Sequence, residues 1–364
     1  MRKVEIQIKN LPKTIYRLMK WHFFYYFFKK TSPVICVFYI TDKCLMRCKM
    51  CNLWKSGKND TLSLDLFKKT IKDLSRSCCY VTFSGGEPLL VEDIIERIVY
   101  SKKYIPHIHL VSNGYLLDEE MAKKLAATGI DEISISIDGP REIHDKIRGV
   151  ERAFEKAIEA VNNLKKYAPK TNIVVNTSIA PWNIDSLPEF IDFIESLEVK
   201  QQFQPICNIF ESGEFNNYTQ PIIEYQKIEK LIIKIISKKH IVNSKYFIFK
   251  MIDYFGNQKQ FSPLREEICN LPSFYVEVKP NGMFYSCGIV FNKGKAFSLS
   301  DGLKKTMRGG EFKQNQLELK RCKLCNKGMY VCYIEPRIAF PVFNFLKYKI
   351  LGIKLSRNFL KHGD

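Results

Sequence analysis

Apolar and polar positions along the middle of this chain follow two alternating periods. A continuous apolar run at 34–40 has the pattern of a strand buried on both faces of a sheet, and shorter strand-like segments follow at 80–84, 109–112, 132–137, 172–179 and 202–206. Between them the spacing becomes helical. Leu64, Phe67, Ile71 and Leu74 follow the capping residue Ser63, and Phe154, Ile158, Val161 and Leu164 share one side of 151–166. Similar stretches predict helices at 91–101, 118–127 and 185–197. Strands and helices that alternate without hairpin signals predict a parallel sheet with helices outside it. Six such units predict an α/β fold, a partial (β/α)6 barrel.

A sheet of this kind binds ligands at the carboxyl ends of its strands. The segments expected there are polar or glycine-rich: 41–52, 84–88, 112–114 and 136–139. Each alone reads as an ordinary strand-to-helix turn. Together they define one rim. The first carries Cys44, Cys48 and Cys51, spaced C-x3-C-x2-C. Three thiolates on a short loop can hold three corners of a four-iron cluster. The fourth iron is then open to a small molecule, as in metal sites that keep a free position. A zinc knuckle or three unrelated thiols are the other readings of that spacing.

This loop resembles the signature of the radical S-adenosylmethionine (SAM) superfamily, and the resemblance extends over roughly 34–206. It implies a catalytic [4Fe–4S] cluster on Cys44, Cys48 and Cys51 whose open iron is chelated by the amino and carboxylate groups of SAM. Gly85, Gly86, Glu87 and Pro88 look like the family's GGEP motif, whose backbone and acidic residue meet the cofactor's amino group. Glycines allow close backbone approach, and a carboxylate accepts charge-assisted hydrogen bonds from an ammonium. By the same resemblance Ser112 and Asn113 stand where ribose contacts are made, Ser136 and Asp138 are further cofactor contacts, and Arg148 is similar to the arginine that pairs with the cofactor carboxylate. Arg148 also reads as a solvated loop residue. Met50 replaces the aromatic residue common before the third cysteine, a change expected to affect packing more than chemistry.

A second cysteine set follows an amphipathic helix predicted at 221–239. Cys269, Gly282 and Cys287, then Cys322 and Cys325, read as C-x12-G-x4-C followed by C-x2-C. The turn composition at 280–283 predicts a hairpin that would bring Cys269 and Cys287 together. The set resembles the twitch or shortened SPASM extension of the same superfamily, which implies a second, auxiliary [4Fe–4S] cluster on these four cysteines. A four-cysteine structural zinc ribbon is the competing reading. Cys332 is left as packing, a substitute ligand or a substrate-facing thiol. Cys78, Cys79 and Cys207 read as buried free cysteines. His107 and His109 share a strand face without visible carboxylate support and read as core or surface residues. The expected organisation is a segment 1–33, a barrel 34–220, a helical linker 221–262, a small cysteine-rich α+β domain 263–336 and a segment 337–364.

Composition changes this picture at the two ends. Of the net charge of +19, residues 1–30 carry +7 and residues 337–364 carry +5, in stretches also rich in aromatic and aliphatic residues. Neither reaches the roughly 18–20 apolar residues that span a bilayer, and no secretory signal precedes the twelve cysteines. Reduced thiols in a cytoplasmic protein favour metal ligation over disulfides. The ends match interfacial segments, so an anionic membrane surface is an expected partner, with peripheral placement at the inner face. Apolar docking onto the domain accounts for them equally.

The resemblance implies reductive cleavage of SAM to a 5′-deoxyadenosyl radical that abstracts hydrogen from an unactivated carbon, with a flavodoxin or ferredoxin as reductant. A lipid or membrane-associated substrate follows from the ends. A ribosomally made peptide is the alternative, although a separate leader-recognition domain does not fit into about thirty residues. RNA is disfavoured, because the charge sits at the ends and no binding module is recognisable. A zinc-stabilised binding module is the non-enzymatic reading.

Overall fold

The computed structural model describes residues 11–51, 53–206, 222–256, 269–287, 295–322, 328–340 and 342–361. Cys207, Cys325 and the first ten residues lie outside these. Six parallel strands follow one another in sheet order as in sequence: β1 (Ile35–Tyr39), β2 (Tyr80–Ser84), β3 (His107–Ser112), β4 (Glu132–Ser136), β5 (Asn172–Ile179) and β6 (Lys200–Pro205). The helices between them are α2 (Leu64–Leu74), α3 (Ile94–Lys102), α4 (Glu119–Thr128), α5 (Arg141–Arg148), α6 (Ala153–Tyr167) and α7 (Leu187–Ser196), while α1 (Leu11–Phe28) precedes the sheet. The alternation therefore forms as the apolar pattern predicts. Local chemistry sets the helix ends. Ser63 Oγ accepts Leu66 N–H (3.4 Å) at the start of α2, and Asp118 Oδ1 accepts Met121 N–H (2.8 Å) at the start of α4. Helix α5 was not visible in the apolar spacing, because only Ile147 and His144 of its eight residues are buried.

The two faces of the sheet differ in chemistry. Phe38 and Phe83 turn to α2, where Phe67 meets them at ring separations of 5.2 and 5.7 Å. On the opposite face the register aligns Tyr80 with His107, and Thr82 with His109 and Glu132. Glu132 Oε1 accepts the Tyr80 hydroxyl (3.2 Å) and lies 3.5 Å from His109 Nε2, and its other oxygen accepts Asn172 Nδ2 (2.9 Å). The carboxylate that sequence spacing did not show beside the two histidines comes from the neighbouring strand. Both histidines are 2% exposed, so they are core residues of a polar barrel interior.

The C-terminal region continues the same sheet. β7 (Tyr275–Val278) pairs parallel with β1, and β8 (Met283–Tyr285) and β9 (Phe297–Ser298) follow antiparallel, giving nine strands in the order β6-β5-β4-β3-β2-β1-β7-β8-β9. The predicted hairpin is present between β7 and β8, with Gly282 at φ +76°. Around it lie α8 (Tyr225–Ile236), α9 (Lys245–Gly256), α10 (Leu303–Arg308), α11 (Gly310–Lys320), α12 (Val331–Ala339) and α13 (Val342–Lys361). Helix α13 crosses α9 closely. Tyr348 meets Tyr246 at 4.7 Å, and a Cβ at Gly352 would stand 3.0 Å from Tyr246 N.

Helix α1 is held at the amino end of the sheet. The buried Arg17 guanidinium donates to Ser75 O, Cys78 O and Tyr104 O, the carbonyls that end α2 and precede β2 and β3. Trp21 Nε1 donates to Ser32 O (3.0 Å), and its ring packs on Phe340 at 4.5 Å. No described helix is long and apolar enough to cross a membrane.

Candidate active site

Strand β1 delivers the chain to the cysteine loop, and backbone contacts hold that loop on the rim. Thr41 bridges to Thr61, with their hydroxyls 2.8 Å apart, and Asp42 N–H donates to Asp60 O (2.9 Å). Further along, Arg47 N–H donates to Arg148 O and Lys49 N–H to Ile147 O, both at 2.9 Å. The Arg47 guanidinium closes the turn on Cys44 O and Met46 O (3.1 Å each) and stacks over Trp54. Trp54 Nε1 in turn donates to Cys48 O (3.1 Å).

The glycines after β2 are required by this loop. Gly86 N–H donates to Thr41 O (2.7 Å) and Glu87 N–H to Lys43 O (2.8 Å). A Cβ at Gly86 would stand 2.0 Å from Lys43 O, and one at Gly85, whose φ is +139°, 2.5 Å from Thr41 O. Only glycine lets the two rim segments approach so closely.

Glu87 is fully buried and turned into the rim. Its carboxylate accepts Leu89 N–H (3.1 Å), Ser112 Oγ–H (2.9 Å) and Asn113 N–H (2.8 Å). Burial raises its pKa, and these hydrogen bonds oppose the rise. Pro88 follows as the first residue of a short 3-10 turn. Asn113 receives Tyr115 N–H on Oδ1 (2.9 Å), while its buried Nδ2 has no hydrogen-bond partner among the described residues.

A second buried constellation stands behind the loop. Asp138 is fully buried, accepts Ser178 N–H (2.9 Å) and pairs with Arg148 at 2.7 Å. Burial works against both charges. Even so, Arg148 holds the Asp138 carboxyl below its ordinary pKa, and Asp138 and Cys48 hold the Arg148 guanidinium above its own. Arg148 reaches Cys48 Sγ (3.8 Å), and its buried Nε is without a hydrogen-bond partner among the described residues. His144 Nδ1 accepts Asp138 N–H (3.0 Å), and burial together with Arg148 lowers its pKa to about 3. His144 is therefore neutral.

These parts enclose one cavity of about 180 Å³, whose wall includes Cys44, Cys48, Cys51, Gly85, Gly86, Ser112, Asn113, Ser136 and Arg148. Glu87, Pro88 and Asp138 stand behind that wall. Met46, Leu53, Trp54 and Val111 supply its apolar part. Sequence reasoning did not single these out, because an apolar residue beside a rim turn carries no spacing signal. Burial pushes the Cys44 thiol up to about 11, with Glu87, Cys48 and Cys51 nearby adding to it, and it raises Cys48 as well.

In the C-terminal region Cys269 and Cys287 flank the β7–β8 hairpin, and Cys269 N–H donates to Lys320 O (2.7 Å), two residues before Cys322. Cys332 lies on α12.

The Radical SAM superfamily model matches residues 38–194, a span that runs from the end of β1 into α7 and includes the whole cavity wall. The chain contains a radical SAM domain. Relatives of this domain include Fe-coproporphyrin III synthase of Methanosarcina barkeri, 32% identical over 178 residues, 48% of this chain and 43% of that protein. Mycofactocin maturase MftC of Mycolicibacterium smegmatis is 32% identical over 163 residues, 44% of this chain and 41% of that protein. The chain thus spans about two fifths of the length of these curated relatives. A solved structure, native anSMEcpe with bound AdoMet and Cp18Cys peptide, superposes with a TM-score of 0.62 at 19% identity, over 90% of this chain and 96% of that one. The likeness of fold therefore extends past the radical SAM domain into the C-terminal region.

The described residues fit the group that a radical SAM domain implies. Three thiols share one wall. Two buried donors, Asn113 Nδ2 and Arg148 Nε, lack acceptors where native interiors satisfy nearly all polar groups. No three described His, Cys, Asp or Glu side chains converge on one metal ion. A cubane instead takes one thiolate at each of several irons.

Proposed function

We propose that the protein is a radical SAM enzyme in which Cys44, Cys48 and Cys51 hold a [4Fe–4S] cluster and the rest of the cavity binds SAM. The observation that carries this reading is the single cavity wall shared by the three thiols, the Gly85–Gly86 backbone, Asn113 and Arg148. The chemistry supplied when both groups are bound is one-electron reductive cleavage of SAM, to methionine and a 5′-deoxyadenosyl radical that removes hydrogen from an unactivated carbon, with flavodoxin or ferredoxin as electron donor.

The protein's own residues position and shield. Three cysteines leave one iron without a protein ligand. Gly85 and Gly86 set the distance between the cysteine loop and β2, so Ala at either position displaces the loop. Asn113 Nδ2 and Arg148 offer donors to the acceptors of SAM, and Ser112 and Ser136 add hydroxyls to the same wall. Glu87 fixes Asn113 through its backbone N–H, and Asp138 fixes Arg148, so both carboxylates act as positioning residues. Met46, Leu53 and Trp54 exclude water from the reacting atoms. Deoxyadenosine formation tests the assignment. Cys48→Ala abolishes it, and retained formation refutes the reading.

In the C-terminal region Cys269, Cys287, Cys322 and Cys325 would close an auxiliary [4Fe–4S] cluster, since the Cys269–Lys320 contact draws the first cysteine toward the segment holding the last two. Four ligands leave no open iron there, so this cluster passes electrons or holds the fold. In this role 263–336 is an auxiliary-cluster region beside the barrel 34–220, and the two share one sheet.

The proposed substrate is a peptide. Support comes from the maturase among the relatives, from the peptide bound in the superposable structure, and from the position of α1. The basic, apolar ends are the only feature that favours a lipid substrate. One of those ends, α1, sits at the amino ends of the strands, across the barrel from the cysteine rim. Incubation with peptide and lipid fractions from fully deuterated cells decides the matter. Deuterium should enter 5′-deoxyadenosine from the peptide fraction, and its entry from the lipid fraction alone would reverse the assignment.

A further inference from the structure

A second cavity, of about 280 Å³, lies at the opposite end of the barrel between α1, the end of α2 and α10. Six cationic side chains line it, Arg17, Lys20, Lys30, Arg76, Lys304 and Arg308, against the single carboxylate of Asp73. Asp73 accepts the backbone N–H of Lys304 (3.0 Å). None of the six cations forms an ion pair among the described residues, and Arg17, 7% exposed, spends its guanidinium on backbone carbonyls. Trp21, Phe24 and Met307 give the cavity an apolar floor. Uncompensated positive charge over an apolar floor suits an anionic headgroup joined to an apolar body.

The outward face of α1 beside this cavity is apolar as well. Leu11, Ile15, Met19 and Phe23 recur every fourth residue and are 43–68% exposed, and Phe27 is 75% exposed. Single exposed apolar residues are ordinary, but a continuous stripe along five helical turns marks an interaction surface. Lys20, Lys29 and Lys30 border it, as in helices that lie in a membrane interface. A second copy of this chain suits the surface less well, because pairing would bring two such cationic cavities together.

We propose that this face binds an anionic bilayer, with the stripe of α1 in the interface, a lipid phosphate in the amino-end cavity, and the cysteine rim turned away from the membrane. The bilayer then acts as an anchor and leaves the active-site mouth open to a substrate in solution. This orientation holds whichever substrate class the rim accepts.

Vesicle flotation of the full chain tests the proposal. Phosphatidylglycerol vesicles should carry the protein and phosphatidylcholine vesicles should not. The double variant Lys304→Ala/Arg308→Ala should weaken binding roughly thirtyfold, from two lost charges near the surface. Met19→Asp/Phe23→Asp should weaken it at least as much. Both variants keep wild-type deoxyadenosine formation, which confirms that they fold. Equal binding to the two vesicle types, no binding to either, or unchanged binding by the folded variants would each overturn the proposal. So would saturation of the cavity by free glycerol 3-phosphate in a protein that ignores vesicles. For orientation, brominated acyl chains should quench the tryptophan introduced by Phe23→Trp but spare Trp182, which is 45% exposed just beyond the carboxyl end of β5. Quenching of Trp182 instead would reverse the placement.

Discussion

Substitution of Gly86 by alanine tests how the cysteine loop is held. The new Cβ would stand 2.0 Å from Lys43 O, 2.6 Å from Lys43 C and 2.9 Å from Asp42 O, all backbone atoms that cannot rotate aside. To reach 3.0 Å, below which real contacts essentially do not occur, the loop must retreat by about 1 Å. Retreat loosens two backbone hydrogen bonds, Gly86 N–H to Thr41 O and Glu87 N–H to Lys43 O, at about 1 kcal/mol each. Overpacking strain adds about 1–3 kcal/mol, so the expected destabilisation is about 3–5 kcal/mol. Cys44 is the residue after Lys43, so the same retreat moves its thiol. Denaturant unfolding measures the first effect, and iron analysis after anaerobic reconstitution the second. With two cubanes in the wild type, iron should fall from about eight to about four per chain. Gly310→Ala is the matched control, since nothing lies within 4 Å of its added Cβ. If Gly86→Ala kept wild-type stability and iron, the loop would not be held as described.

Other consequences follow from the buried constellations. Asp138→Asn leaves the Arg148 cation without its carboxylate and should cost about 3–5 kcal/mol, read as a lower denaturation midpoint. Asn113→Asp keeps the acceptor for Tyr115 but replaces the orphaned donor, so equilibrium binding should show SAM affinity reduced about tenfold or more in a protein of near-native stability. Wild-type affinity would exclude Asn113 from the cofactor site. His144 titrates near 3 in the fold against an ordinary 6.5. The stability this represents is fully present above pH 6.5 and is lost as pH falls toward 3, with a slope of about 1.4 kcal/mol per pH unit. Urea unfolding at pH 7 and pH 5 should show the loss in wild type and a smaller one in His144→Asn. Equal losses would place the acid sensitivity elsewhere. Finally, iron near four per chain in the wild type would remove the auxiliary cluster.

The barrel was legible because its signals are local. Runs such as 80–84 and helices such as Leu64–Leu74 encode burial within a dozen residues, and Ser63 and Asp118 mark helix starts with their own side chains. Two features of the barrel differ from the pattern. β3 begins at His107 rather than 109, where the two histidines interrupt the apolar run, and α5 is too polar to show a period.

The spacing of Cys44, Cys48 and Cys51 was likewise legible in the chain itself, since three thiols within eight residues need no partner from elsewhere to be recognised. Their surroundings were settled only in three dimensions. Glu87 meets Ser112 and Asn113, Asp138 meets Arg148, Glu132 lies among Tyr80, His109 and Asn172, and β7 joins β1 after more than two hundred intervening residues. Each pairing depends on strand order and register, which place side chains from separate strands on one wall. No periodicity along the chain carries that information, because it arises when the strands assemble side by side and burial obliges each polar group to find a partner.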